Sequence, residues 1–230
     1  MLTQRLIIPL LILAFAQSVV ADEAHPANMP DLTALLSPPP ANGSVAAQND
    51  LQAVLAAQSA RSAADASAAE ADAERSIFRF ADVLGPRFQP AQLPRTAAFF
   101  ERVAQFDKAD VKLAKSYWRH PRPGDVSTAV HPLDKEKAND WSYPSGHATF
   151  GYSAAVLLAN MLPEKRAAIF ARADEYAQHR IVIGAHFPSD IEAGRVAGTV
   201  IAAQLLGDPT WRADYRATCA ELRKALAATP

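Results

Sequence analysis

One cysteine, Cys219, stands in the whole 230-residue chain, so no intramolecular disulfide can form and stability has to come from packing. The expectation for that thiol is a buried, inert side chain. Glycine is sparse at nine residues, while the seventeen prolines gather near the N-terminus and in loops. Charge of one sign is also lacking: 23 basic against 24 acidic residues leave a net charge of −1. That balance gives no general attraction to nucleic acid or to an anionic membrane, so any chemistry on anions must come from locally placed cations. No alternating apolar–polar strand pattern recurs, and no internal repeat is visible. Beyond the N-terminal leader, no uninterrupted apolar stretch reaches about 18 residues, which excludes a membrane span in the mature chain. What is there is a chain that is half hydrophobic. It is long enough for one sizeable core plus an export segment.

Met1 to Ala21 has the order of a signal peptide: Arg5, then the apolar run Leu6 to Phe15, then Val19-Val20-Ala21 before a cut ahead of Asp22. The expected location is therefore outside the cytoplasm, in the periplasm of a Gram-negative cell. Residues 22–43, with Ser37-Pro38-Pro39-Pro40, read as an extended Pro-rich arm. Residues 44–230 read as one helical domain, all-α. Ser44 caps an Ala-rich helix expected to run to about Phe80, because Ala has the lowest helical cost. Further helices are expected at Pro94 to Phe106, Ala109 to Tyr117, His147 to Met161, Pro163 to Ile183 and Asp190 to Leu206. The last shows helical apolar spacing at Ile191, Ala193, Val196, Val200, Ile201 and Leu205, and is stopped by Gly207 and Pro209.

Three segments combine a cation or imidazole with a backbone-shaping residue: Lys115 to Pro123, Pro144 to His147, and Arg180 to Asp190. Phosphoryl transfer requires that a tetrahedral dianion be desolvated and its equatorial oxygens held by fixed donors. Lys115, Arg122 and Arg180 supply three cations, and each guanidinium can grip two oxygens. Pro144-Ser145-Gly146-His147 precedes an apolar helical run, which places the Ser145 and Gly146 amides at a helix N-terminus that favours an anion. His186 suits a nucleophile whose tautomer is fixed by Asp190, and His147 suits the acid that protonates the departing alkoxide. Each piece alone has a structural reading: a helix cap at Ser145 or Asp190, a solvated loop charge at Arg122, a solvent-facing Lys115, a satisfied core His186. Their joint occurrence in order, with a role for nearly every member in one reaction, favours a site.

These segments resemble the signature of the type-two phosphatidic acid phosphatase superfamily, K-x6-R-P, then P-S-G-H, then S-R-x5-H-x3-D. Lys115, Arg122-Pro123, Pro144 to His147, Arg180, His186 and Asp190 match in order and spacing. Leu35 to Pro40, followed by Ser44 and Asp50, is similar to the N-terminal arm of the class A bacterial nonspecific acid phosphatases, and the resemblance spans residues 27–206. It implies a compact helical fold, a periplasmic location, small-molecule phosphate monoesters of broad range as substrates, and catalysis without a metal or other cofactor. It also implies His186 as nucleophile, Asp190 as its orienting group and His147 as acid, with Lys115, Arg122, Ser145, Gly146 and Arg180 on the phosphate. A homodimer is a further implication by analogy.

Two positions depart from the pattern. His179 replaces the usual Ser before the arginine, and either faces the pocket or serves structure. Gly124 follows Arg122-Pro123 where class A chains usually carry an aromatic residue. No histidine spacing suits zinc, so no metal is expected. Trp118, Trp141 and Tyr143 read as packing residues. The same motif also resembles vanadium-dependent haloperoxidases, where the position of His186 ligates vanadium; a soluble lipid or diphosphate phosphatase is a further alternative.

Overall fold

The computed structural model describes residues 29–133 and 140–227; the expected leader at residues 1–21 lies outside them. Among the described residues there is no strand, and ten α-helices follow one another: α1 Leu32–Leu35, α2 Val45–Ala60, α3 Ala63–Ala71, α4 Ala81–Leu84, α5 Pro94–Trp118, α6 Pro123–Val126, α7 Gly146–Met161, α8 Arg166–Val182, α9 Pro188–Gly207 and α10 Arg212–Ala227. Short 3-10 turns at Ile77–Phe80 and Pro163–Lys165 lead into α4 and α8.

The Ala-rich segment does not form one helix. Ser44 caps α2 as expected, accepting from Ala47 N at 3.1 Å, but the chain breaks at Arg61 and Ser62. Ser62 starts α3 with a reciprocal capping box to Asp65, and the Arg61 guanidinium reaches across to the Val182 carbonyl at 2.9 Å. These polar interactions override the propensity of the alanines. The gap expected near Asp107 and Lys108 is absent, since neither residue breaks a helix, and α5 runs on through 25 residues. α10 was not anticipated. Its Glu221 caps the start of α5, accepting from Thr96 N at 2.7 Å and Thr96 Oγ1 at 2.8 Å.

The helix α7 forms the centre, flanked by α9, α8 and α5, with α10 on α5, and α2 and α3 on α8. Its Phe150, Leu157, Leu158 and Met161 are buried with Phe80, Phe100, Ile169, Tyr176, Ile201, Leu205 and Trp211 in the main core. The approach of α9 to α7 is close because of two glycines one turn apart. A Cβ on Gly194 would lie 2.7 Å from Ser145 O, and one on Gly198 would lie 2.2 Å from Thr149 O. No larger residue fits either place, so this crossing fixes the start of α9 against the start of α7. Within the arm, α1 lies along α5: Leu32 and Leu36 are buried with Val111, Ala114 and Tyr143, and the Tyr143 hydroxyl donates to Ser37 O. Cys219 is half-buried rather than fully buried, with its thiol near Met161 O. No helix among the described residues is long and apolar enough to cross a membrane.

Candidate active site

Each candidate side chain occupies a helix end, where the backbone leaves unsatisfied groups and the chain changes direction. Lys115 lies in the last turn of α5, and Arg122 is the N-cap of α6 with Pro123 behind it. Ser145 caps α7 and Gly146 begins it. Arg180 is in the last turn of α8, and Asp190 in the first turn of α9. Between them Gly184 takes φ +76°, and Ala185 N and His186 N turn back onto Arg180 O at 3.0 and 3.3 Å. That turn brings His186 back beside its own helix, a conformation glycine adopts without penalty.

His186 is buried and held from both sides. Its Nδ1 lies 3.3 Å from Asp190 Oδ2 and 3.2 Å from Ser142 Oγ, and the Ser142 hydroxyl donates to Asp190 Oδ2 at 2.5 Å. Phe187 N also donates to that carboxylate oxygen, at 2.8 Å. Both partners of Nδ1 can accept from it, so the network assigns the ring proton to Nδ1. The other nitrogen, Nε2, faces Arg122 Nη1 at 3.4 Å. A guanidinium only donates, so Nε2 keeps its lone pair toward the cations. His147 is arranged differently: its Nε2 meets Ala73 O at 2.9 Å, and because a carbonyl only accepts, that nitrogen is protonated.

The cations are close enough to act on both imidazoles. Burial, then the charges of Arg122, Lys115, Arg180 and His147, hold His186 well below the ordinary imidazole pKa. Burial, then Arg180, Arg75 and Lys115, do the same to His147, with the Ala73 hydrogen bond working the other way. Burial lowers Lys115 to about 8, assisted by Arg122 and opposed by Asp140. Burial raises Asp190 to about 7 against the hydrogen bonds from Ser142 and Phe187 N. The positive charges that add to burial in depressing these basic groups favour a bound anion, and an entering dianion offsets the part of the depression that the cations cause.

The structure therefore brings together Lys115, Arg122, Ser145, Gly146, His147, Arg180, His186 and Asp190. Ser145 N bonds directly to Asp190 O at 3.0 Å, joining the second and third segments, so that amide is not offered to an anion as expected and Ser145 is left with its hydroxyl for that purpose. Sequence reasoning missed two supporting residues. Asp140 holds Lys115 Nζ at 2.9 Å and Arg122 Nη2 at 2.7 Å, while its main-chain carbonyl takes Arg122 Nε at 2.6 Å. Ser142 completes the Asp190 carboxylate. Both precede Pro144-Ser145-Gly146-His147 by a few residues, and that proximity was the available signal.

The two departures have local explanations. His179 turns away from the site: its Nδ1 meets Asp72 Oδ2 at 2.6 Å, and the same buried carboxylate takes Arg172 Nη2 at 2.6 Å and Arg79 Nε at 2.7 Å. The hub so formed locks the end of α3 onto α8, and with it the Ala73 carbonyl that holds His147. At Gly124 a Cβ would lie 3.2 Å from Pro132 Cγ, so the loop at Pro132 takes the space that a side chain would need. Trp118 and Tyr143 stack edge to face at 5.0 Å and serve packing. No group of three or more His, Cys, Asp or Glu among the described residues is arranged to hold a metal.

Residues 102–213 match the PAP2 superfamily. The chain is 33% identical over 199 residues to an acid phosphatase of Zymomonas mobilis, covering 83% of this chain and 75% of that one. It is 27% identical over 214 residues to a non-specific acid phosphatase of Salmonella typhi, covering 89% and 86% of the two chains. A non-specific acid phosphatase of Providencia stuartii is 28% identical over 192 residues, covering 79% and 77%. The fold is similar to the crystal structure of a transmembrane PAP2-type phosphatidylglycerolphosphate phosphatase from Bacillus subtilis, with a TM-score of 0.52 at 20% identity over 72% of this chain and 87% of that one. A motif-bearing site at the helix ends, on a chain matched over most of its length by acid phosphatases, places this protein among the class A nonspecific acid phosphatases of the PAP2 superfamily, as a phosphatase enzyme.

Proposed function

We propose that the enzyme hydrolyses small phosphate monoesters of broad range by way of a phosphohistidine on His186, outside the cytoplasm and without a metal. The observation that supports this most is the fixed tautomer of His186: Nδ1 is committed to Asp190 and Ser142, and the Nε2 lone pair faces the cations. Lys115, Arg122, Arg180, the Ser145 hydroxyl and the Gly146 amide bind the phosphoryl oxygens and neutralise charge that a metal ion would otherwise have to neutralise.

The His186 Nε2 lone pair forms a bond to phosphorus as the ester P–O bond breaks, and the departing oxygen takes a proton from His147. Asp190 stabilises the positive charge that His186 gains. A water molecule then attacks the phosphohistidine. Its proton passes to His147, the P–N bond breaks, and inorganic phosphate leaves with His186 restored. Binding of the dianion raises the pKa of His147, so the acid is charged when it is needed.

Rapid-quench kinetics test the chemistry. The expected result is a burst of alcohol with one equivalent of acid-labile phosphohistidine, lost in His186→Ala. Steady alcohol release with no trapped phosphoenzyme would overturn it. Export is tested by sequencing the N-terminus of the protein recovered from the periplasm: it should begin at Asp22. Full activity after exhaustive EDTA treatment is the expected outcome for a site that works with side-chain cations alone.

A further inference from the structure

Arg75 belongs to none of the three motif segments, yet its guanidinium reaches the site. It comes from the loop after α3, and its Nη2 would lie 3.2 Å from a Cβ built on Gly146, with Val111 Cγ1 at 3.6 Å on the same side. The loop that carries it is held firmly. Asp72 is clamped by Arg172, Arg79 and His179, Ala73 O meets His147, and Glu74 O accepts from the Tyr176 hydroxyl at 3.1 Å.

Asp107 is an acid that feels Arg75, and burial pushes that carboxyl up to about 8, with Ser153 as its hydrogen-bond partner. Arg75 Nε is buried and makes no hydrogen bond among the described residues. Arg75 also ranks among the charges that depress His147, whereas those acting on His186 are Arg122, Lys115, Arg180 and His147. With its guanidinium beside Gly146, the neighbour of His147 in the chain, it stands on the His147 side of the site. Arg75 is in addition part of the wall of an open cavity of about 600 Å³ with aromatic sides at Phe78, Phe100 and Phe150 and with Glu74 and Glu101 also on its lining.

We propose that Arg75 is a fourth phosphate-binding cation on the leaving-group side, and that the cavity it lines receives an aromatic or apolar leaving group. This rests on the reading of His147 as the acid for the departing oxygen. With the reacting phosphoryl group beside Arg75 and the Gly146 amide, the ester oxygen meets His147 and its substituent lies against Phe78. Glu74 and Glu101 repel a substituent that carries a second anionic charge, so aryl monoesters are preferred over inorganic pyrophosphate.

The test uses full-length Arg75→Gln and Arg75→Lys beside wild type. Binding of inorganic phosphate is read by thermal shift, and turnover with phenyl phosphate, methyl phosphate and pyrophosphate. Losing a charge-assisted fork should weaken phosphate binding by about tenfold or more in Arg75→Gln. Arg75→Lys, which keeps charge and stem without the fork, should be about threefold weaker, and it carries the test if Arg75→Gln does not fold. Phe78→Ala should lower kcat/KM for phenyl phosphate by more than it lowers that for methyl phosphate. Wild-type phosphate affinity in the Arg75 variants, or an equal loss for both esters in Phe78→Ala, overturns the proposal. Phosphate-dependent stabilisation in a wild type that turns over no ester would instead overturn the phosphatase mechanism, because the thermal shift needs no chemistry.

Discussion

Ser145 N donates to Asp190 O at 3.0 Å, so the turn that begins α7 and the turn that orients His186 form one rigid piece. The same contact lies where α7 and α9 are forced together by Gly194 and Gly198. Positioning of His186 against the start of α7 is therefore a property of a helix crossing.

Gly198→Ala places a Cβ about where Thr149 O stands, 2.2 Å away, and backbone cannot move aside as a side chain can. Overpacking of this kind costs typically about 1–3 kcal/mol or more. For a domain of this size that is a fall in Tm of roughly 2–4 °C per kcal/mol. Calorimetry checks the stability, and kcat should fall with it as the crossing opens. A variant with the Tm and kcat of wild type would show that α9 does not depend on the close approach.

Ser142→Ala removes the hydroxyl that donates to Asp190 Oδ2 at 2.5 Å and accepts from His186. A hydrogen bond to a charged group contributes about 1.5–3 kcal/mol. The expected loss in kcat is therefore roughly 10-fold to 100-fold, with phosphate affinity unchanged because no phosphate ligand is touched. A rise in KM at constant kcat would place Ser142 on the substrate instead.

Asp140→Asn tests the alkaline limb of activity. In the proposed mechanism Lys115 must be protonated to bind phosphate, and burial lowers it to about 8 while Asp140 opposes that shift. Without the carboxylate, the protonated form loses its partner and Lys115 falls further. The alkaline limb of kcat/KM in the variant should move to lower pH, with the acid limb in place. An alkaline limb that stays or moves upward would remove Lys115 from that role.

Asp72→Asn tests the hub behind the site. Three partners, His179, Arg172 and Arg79, outweigh burial and hold Asp72 far below the ordinary carboxylate value. A folded-state pKa below the unfolded one means the stabilisation is fully present above about pH 4 and is lost as pH falls toward the folded value. Breaking a buried pair costs about 3–5 kcal/mol. The variant should melt well below wild type at pH 5 to 7, with a gap that narrows under stronger acid. A gap independent of pH would mean that packing, and not charge, carries the hub.

Much of the site was legible because its chemistry is carried by side chains at fixed local spacing. Lys115 and Arg122, the run Pro144 to His147, and Arg180, His186 and Asp190 each announce a helix end with a cation or imidazole on it. His179 was ambiguous, because its partner Asp72 is more than a hundred residues away in sequence and helical spacing says nothing about which face meets it. Arg75 was invisible for the same reason: it is an ordinary residue in a loop until the α3–α8 clamp sets that loop beside Gly146. The break at Arg61 and Ser62 was written locally, in a capping box from Ser62 to Asp65, but the surrounding alanines masked it.

The amino-acid sequence by itself determined the helical class, the ends of α5, α7, α8 and α9 and the set of candidate site residues, because caps, propensity and motif spacing act over a few residues. Only the tertiary structure decided how those ends meet. The crossing at Gly194 and Gly198, the Asp140 and Ser142 contacts that set charge and tautomer, and the approach of Arg75 all depend on packing between segments far apart in the chain, and short-range pattern carries no information about that packing.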